Sequence, residues 1–165
     1  MDTVKFNTVE EKVIMLRDIP VLLDSDVAEL YGVETREINQ AVSNNPRKFP
    51  EGYILQLYKE EWTNLKSKTL TSSWGGTRKL PKAFTEKGLY MLATILKGEK
   101  AENTTIEIIE TFTRIRQLSR TINQMAQEPN KTKQKSLMKR GFYTSFDVNF
   151  AVMKFKHISK YSKKQ

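Results

Sequence analysis

The most regular hydrophobic pattern in the chain lies in residues 24–45, where apolar residues recur at helical spacing. Six of these positions are apolar or small enough to be buried between two packed helices: Val27, Ala28, Tyr31, Val33, Ile38 and Ala41. Gly32 follows the first predicted helix, at about residues 25–31, where a left-handed residue ends a helix without a Cβ penalty. The second predicted helix covers residues 35–44, with Thr35 as its cap. The pattern predicts two helices joined by a tight turn, as in a DNA-binding helix-turn-helix.

Shorter patterns predict elements on either side of this helix pair. Apolar runs bounded by turn residues indicate strands, and apolar residues three or four apart indicate helices. In chain order these are two strands within residues 12–23, a strand at 53–58, a helix at 59–66, a hairpin turn at Gly75-Gly76, a helix at 86–96 between Thr85 and Gly98, and a long helix at 101–127. We therefore predict an α+β fold: a small helix-turn-helix domain with short antiparallel strands and a wing-like glycine hairpin, followed by a long C-terminal helix and a basic tail.

The same pattern divides the chain into four parts. These are a flexible N-terminus at 1–11, a DNA-binding domain at 12–100, the long helix at 101–128 and the basic tail at 129–165. The long helix exceeds what one small domain buries, which favours a homodimer through residues 101–127. In the tail, residues 142–161 fit both a period of two and helical spacing, so strand and helix both stay open, with Thr144 as a cap that favours the helix.

Composition narrows the class of function. The chain has no cysteine and a single histidine, His157, which excludes disulfides, thiolate metal sites and histidine metal clusters. The longest uncharged apolar run, residues 89–96, is far shorter than the ~20 residues that span a bilayer. The N-terminus has no apolar signal segment. A cytoplasmic protein that binds no membrane is therefore predicted.

The net charge of +9 is unevenly distributed along the chain. Residues 1–43 hold four Lys/Arg against nine Asp/Glu, residues 44–90 hold nine against four, and residues 129–165 hold ten against one. Basic surfaces attract nucleic acid by neutralising phosphates and releasing counterions. Double-stranded DNA is therefore the predicted partner.

The outward positions of the second helix carry side chains that can read base edges. With Val33, Ile38 and Ala41 facing inward, the outward residues are Thr35, Arg36, Asn39, Gln40 and Ser43. Arginine pairs bidentately with guanine, asparagine and glutamine pair with adenine, and hydroxyls bond to phosphates or bases. Glu34 and Glu37 are unfavourable beside phosphates. The alternative is that two amphipathic helices merely pack on one another.

Basic residues after the helix pair are predicted to contact phosphates. A two-stranded ribbon with a glycine tip can lie along a DNA backbone or groove as a wing, with Trp74 packed at its base. The predicted phosphate contacts are Arg47, Lys48, Thr77, Arg78, Lys79 and Lys82. Taken singly, each is better explained as a solvated side chain; beside a recognition helix the joint interpretation as one basic surface gains support.

Two long segments follow one another in the chain: LDSDVAELYGVETREINQAVSNNPRKFPEGYILQL and TSSWGGTRKLPKAFTEKGLYML. They resemble the KilA-N-related phage domain known as the open-reading-frame-six N-terminal domain. The resemblance covers roughly residues 12–120 and implies DNA binding and regulation of the phage or prophage type. It assigns no individual base contacts, which rest on the residue chemistry above.

The sequence contains no arrangement typical of an enzyme. Adjacent carboxylates at residues 10–11 and 60–61 do not face one another on a helix. Asp24 and Asp26 suit a helix start better than a metal or nuclease site. We therefore predict a non-enzymatic, sequence-specific transcriptional regulator with no metal, cofactor or small-molecule substrate.

A different class of function competes with this prediction. In an antirepressor-like module, the acidic residues 1–43 and the helix at 101–127 would form an interface with another regulator. Salt dependence separates the two classes, because DNA binding through several phosphates weakens steeply as salt rises.

Overall fold

The structure is a computed structural model that describes residues 4–68, 79–133 and 135–136. The chain divides into two compact units, Met1–Ile108 and Ile109–Gln165. In chain order the elements are α1 (Val4–Lys12), β1 (Ile14–Leu16), β2 (Ile19–Leu23), α2 (Asp24–Tyr31), α3 (Thr35–Asn44), a 3-10 helix (Pro46–Lys48), β3 (Ile54–Gln56), α4 (Lys59–Lys68), β4 (Lys82–Thr85), α5 (Glu86–Ala93) and α6 (Glu99–Gln127). This mixture of helices and short strands confirms the predicted α+β class.

The strands form one antiparallel sheet in the order β1-β2-β4-β3. The turn between β1 and β2 consists of Arg17 and Asp18, with φ of 51° and 65°. Positive φ at both central residues is the geometry that matches the twist of a two-residue hairpin. The prediction of two short strands joined by a turn is confirmed. The predicted hairpin at Gly75-Gly76 lies outside the described residues.

One face of the sheet is covered by α4. Its Trp62 is buried in a cluster with Leu16, Leu23 and Leu57, and Leu65 packs against the same cluster. The spacing of Trp62 and Leu65 places both on one side of a helix. The predicted short helix is confirmed, with its end at Lys68 rather than Lys66.

A single arginine ties the β1–β2 turn to α4. The Arg17 guanidinium forms two bonds to the Glu61 carboxylate, of 2.8 and 2.9 Å, and a third of 3.0 Å to the Gln56 carbonyl oxygen. It also lies over the Tyr58 ring, 4.4 Å from the ring centre. The bidentate hydrogen bonds from Arg17 hold the pKa of the Glu61 carboxyl below its ordinary value.

Helix α5 packs closely against the chain just before β3. Thr85 caps it as predicted, accepting a 3.4 Å hydrogen bond from the Gly88 amide. Gly88 is buried so close to the Tyr53 carbonyl oxygen that a Cβ there would collide with it. The helix ends at Ala93 rather than Leu96, because the Thr94 and Ile95 amides bond three residues back and tighten the last turn.

The N-terminal segment contains a helix that the sequence did not predict. Residues Val4–Lys12 form α1; Val9 within it and Val13 just after it are buried. Lys12 Nζ lies 2.8 Å from Glu29 Oε2 and 3.7 Å from Asp26 Oδ1, which joins α1 to α2. The segment has too few apolar residues for periodicity to predict this helix.

The second unit begins within α6. Its residues Thr111, Phe112, Ile115, Leu118 and Ile122 are buried at the expected helical spacing. Residues 131–133 and 135–136 are also helical. The open choice between helix and strand for residues 142–161 lies outside the described part of the chain. No helix within the described ranges is long and apolar enough to cross a membrane.

Candidate nucleic-acid interface

Helices α2 and α3 are joined by the tight turn at residues 32–34. Gly32 has φ 68° and ψ 34°, the left-handed conformation predicted for it. Its amide bonds to the Glu29 carbonyl oxygen at 3.2 Å, and the Val33 amide bonds to the Ala28 carbonyl oxygen at 3.0 Å. These two bonds form a Schellman motif, which satisfies carbonyl groups that the end of a helix leaves without partners. The turn therefore holds the start of α3 against the end of α2.

The start of α3 differs from the prediction by one residue. The cap position is Glu34, whose backbone is extended, and Thr35 is the first helical residue. Glu37 is then three residues after the cap, and its Oε1 accepts a 3.2 Å hydrogen bond from the Glu34 amide. This is the return bond of a capping box. Glu37 thus has a structural role in addition to its charge.

The two sides of α3 differ strongly in their exposure to solvent. Ile38 is its one buried residue, while Thr35, Asn39, Ala41 and Val42 are half-buried. The exposed residues are Arg36, Glu37, Gln40, Ser43 and Asn44. Three of the five predicted base-reading residues are therefore fully accessible, and Thr35 is partly so.

Asn39, one of the five predicted base-reading residues, forms a hydrogen bond within the fold. Its Nδ2 donates a 3.2 Å hydrogen bond to Oδ2 of the buried Asp24 at the start of α2. Asp24 Oδ1 accepts from the Ser25 amide at 2.9 Å. Asn39 therefore joins α3 to α2, and its contact with a base stays a prediction.

Weak contacts organise the exposed side of α3. Arg36 Nη2 lies 3.3 Å from Glu34 Oε2, and the Arg36 side chain is 85% exposed. Gln40 Nε2 donates a 2.9 Å hydrogen bond to Asn44 Oδ1. Exposed ion pairs of this kind contribute about 0–1 kcal/mol, so a ligand can replace them at little cost. Asn44 was missed by the sequence reasoning, although its spacing of four from Gln40 places both on one face.

The basic residues after α3 are held by the fold. Arg47 is exposed, whereas Lys48 is half-buried and its Nζ lies 2.9 Å from Thr94 Oγ1 after α5. Phe49 packs edge-on against the Phe84 ring, with 6.4 Å between ring centres. Both predicted loop cations therefore sit on a segment anchored to the core.

The predicted wing residues are only partly described. Lys79 is exposed just before β4, and Lys82 is half-buried on β4, opposite Gln56 of β3. Trp74, Thr77 and Arg78 lie outside the described residues. No group of three metal-ligating side chains occurs in the described ranges.

Residues 11–95, just over half of the chain, match the family model of the ORF6N domain. The chain belongs to the ORF6N domain family. The matched segment begins at the end of α1 and runs through α5, so it includes all of α2 and α3. Searches of curated proteins and of solved structures each returned no match.

The limits of the ORF6N match do not coincide with the limits of the compact unit. The match ends at residue 95, before α6, whereas the unit extends to Ile108. Residues 99–108 of α6 therefore belong to the same compact unit as the ORF6N domain while lying outside the matched segment.

Proposed function

We propose that this chain is a non-enzymatic regulator that reads double-stranded DNA with the exposed face of α3. The proposal is carried by one observation: α3 buries Ile38 alone and presents Arg36, Gln40, Ser43 and Asn44 to solvent. A guanidinium, amides and a hydroxyl are the groups that recognise base edges in the major groove. The fold makes little use of them, so they are available to a partner.

The surroundings of α3 support the same proposal. In a helix-turn-helix the second helix enters the groove and its first turns contact bases, and Arg36 lies in the first turn of α3. Arg47, which follows the end of α3, is exposed and suited to a phosphate. Membership of the ORF6N family adds support for a regulatory role of the phage type.

Two acidic residues near α3 have hydrogen-bond partners within the chain. Glu34 pairs with Arg36, and Glu37 accepts the Glu34 amide. On binding, Arg36 would exchange an exposed carboxylate for a base or phosphate. We assign the remaining attraction to the basic residues of 44–90, with Lys79 and Lys82 among them.

A salt series tests the proposal. Binding of the full chain to a random 30-base-pair duplex should weaken as salt rises, with a log–log slope of about −0.9 for each neutralised phosphate. Fluorescence anisotropy between ~50 and ~200 mM salt covers the range in which several contacts change affinity by orders of magnitude. Absence of binding at the lowest salt would overturn the proposal.

Two substitutions separate base reading from phosphate attraction. Arg36→Ala should cost about 1–3 kcal/mol at one base position of a duplex selected from a random library. Lys79→Ala should weaken binding to selected and random duplexes alike and flatten the salt slope. Equal effects of both variants on both duplexes would show that α3 is not the reading helix.

A second candidate function is binding to another regulator protein. The exposed carboxylates of Glu29, Glu34 and Glu37 around α2 and α3 favour this alternative, because they repel phosphate. A chain of this second kind would not bind a random duplex at any salt concentration. The same salt series therefore distinguishes it from DNA binding.

We also propose that the chain forms a homodimer through residues 101–127 of α6. Ile106 and Ile109 on this helix are 54% and 40% exposed, which is unusual for isoleucine. Dimers that read two half-sites are common among helix-turn-helix proteins. Sedimentation equilibrium of the full chain, with Ile106→Glu as the variant expected to be monomeric, tests this proposal.

A further inference from the structure

We propose that the first three turns of α6, outside the matched ORF6N segment, position α3 and thereby set its discrimination between DNA sequences. Thr105 and Tyr31 are the positioning residues at the centre of this contact. The inference rests on the proposed function, since it concerns the same reading helix.

Two hydrogen bonds join the start of α6 to the last turn of α2. Thr104 Oγ1 donates to the Leu30 carbonyl oxygen at 3.1 Å, and Tyr31 Oη shares a 2.8 Å hydrogen bond with Thr105 Oγ1. The Leu30 carbonyl is among the last four of α2, which have no acceptor role inside the helix. The bond from Thr104 therefore satisfies a group that the helix end leaves without a partner.

The same contact is buried and closely packed. Ala101, Thr104 and Ile108 of α6 are buried, as is Tyr31. Two of these residues are small, which permits close approach of one helix to another. Burial raises the pKa of the Tyr31 phenol, so the hydroxyl stays neutral and can donate or accept at ordinary pH.

Lys100 adds a third contact, at the turn between α2 and α3. A Cβ at Gly32 would collide with the Lys100 ammonium, so this side chain occupies the space beside the left-handed residue. The C-terminus of a helix carries partial negative charge, which a nearby ammonium stabilises. The start of α6 therefore contacts both the last turn of α2 and the residue that begins the turn.

Helix α3 is in turn attached to α2 at two places. The Schellman bonds at Gly32 and Val33 hold its start, and the Asn39–Asp24 hydrogen bond holds its middle to the beginning of α2. A shift of α2 is therefore transmitted to the exposed face of α3. Because hydrogen bonds to base edges weaken steeply with distance and angle, a small shift reduces discrimination before it abolishes binding.

The first test compares variants of the full chain on two duplexes. One duplex is recovered by selection from a random library with the unmodified chain, and the other is a scrambled version of it. Tyr31→Phe and Thr105→Val should each lower the ratio of the two affinities about three- to tenfold, the range expected for one hydrogen bond, with little change on the scrambled duplex. The double variant should be no worse than either single one, since all three lack the same bond.

Two controls separate positioning from general destabilisation. Thr105→Ser keeps the hydroxyl and should restore the ratio. Thr63→Val removes a hydroxyl that bonds within its own helix α4, to the Lys59 carbonyl oxygen, and should leave the ratio unchanged. All variants are compared at a temperature where circular dichroism reports each of them as folded. An unchanged ratio in Tyr31→Phe and Thr105→Val, with binding intact, would overturn the inference and leave the proposed function standing.

A second measurement needs no DNA. Amide hydrogen exchange of residues 35–44 should be faster in Tyr31→Phe and Thr105→Val than in the unmodified chain, and restored in Thr105→Ser. If the unmodified chain selects no duplex, the proposed function fails, and faster exchange would still support the positioning of α3 by α6. Unchanged exchange in both variants would overturn that positioning.

Discussion

Helices α3 and α5 are similar in length, yet their residues serve different purposes. Each follows a residue with extended backbone, Glu34 in one case and Thr85 in the other. Helix α3 buries one residue of ten, whereas α5 buries Gly88, Leu89 and Leu92 among its eight. The sequence of α5 is thus largely determined by the core it fills.

The comparison shows that the core does not require the exposed polar residues of α3. A helix that contributes one buried side chain obtains most of its stability from that anchor and from its caps and turn. The polar residues on its exposed side can change without disturbing the core. The guanidinium, two amides and hydroxyl on that side are therefore available for the contact with DNA that we propose.

The largest effect expected is that of Ile38→Ala, because Ile38 is the single buried anchor of α3. Its loss should lower the free energy of unfolding by about 2–5 kcal/mol, the range for large-to-small changes in a core. Urea unfolding followed by circular dichroism measures it. Gln40→Ala, on the exposed side of the same helix, should stay within about 0.5 kcal/mol; equal losses in the two variants would contradict the contrast.

Gly88→Ala should destabilise the protein next most strongly. The added methyl group would meet the Tyr53 carbonyl oxygen, so α5 must shift away from the chain before β3. Overpacking of this kind costs about 1–3 kcal/mol. Lys97→Ala, at an exposed position after α5, is the control that leaves this contact intact; no loss in Gly88→Ala would show that α5 tolerates displacement.

A smaller effect is expected for the caps of the two helices. Thr85→Val removes the hydroxyl that accepts a hydrogen bond from the Gly88 amide and lies 2.9 Å from the Gly52 and Tyr53 carbonyl oxygens, and it should cost about 0.5–2 kcal/mol. Thr35→Val should cost less than about 0.5 kcal/mol, because Glu34 occupies the cap position of α3. Thermal unfolding of the two variants measures both changes in stability. A larger loss of stability in Thr35→Val than in Thr85→Val would show that Thr35, and not Glu34, caps α3.

Local pattern was sufficient to predict α2, α3 and the β1–β2 hairpin. Apolar spacing is set by the period of each element, and Gly32 marks a conformation that side chains rarely adopt. The predicted cap of α3 was wrong by one residue because Glu34 and Thr35 are both polar and adjacent at the start of the same helix. The exact residue at which a helix begins depends on backbone dihedral angles, which the pattern of polar and apolar residues does not determine.

Contacts between distant residues could not be predicted from spacing. The inward orientation of Asn39 depends on Asp24 at the start of another helix, and the Tyr31–Thr105 bond joins residues 74 apart in the chain. A helical pattern shows which side of a helix is apolar, but not which polar residue finds a partner. The wing predicted at Gly75-Gly76 lies outside the described residues and stays a prediction.

The bonds from Arg17 to Glu61 have a consequence for the rate at which the domain unfolds. They close a loop between residues 44 apart, at the surface, and contacts of such separation form late because the loop must close first. Glu61→Gln should therefore accelerate unfolding in stopped-flow experiments and leave refolding unchanged. Lowering the pH should also accelerate unfolding. The pKa of the Glu61 carboxyl is lower in the folded chain than its ordinary value of 4.5, so ionised Glu61 stabilises the fold above pH 4.5. This stabilisation is lost as the pH falls through the pKa of the folded chain. We therefore expect the contacts between Arg17 and Glu61 to slow the unfolding of the sheet.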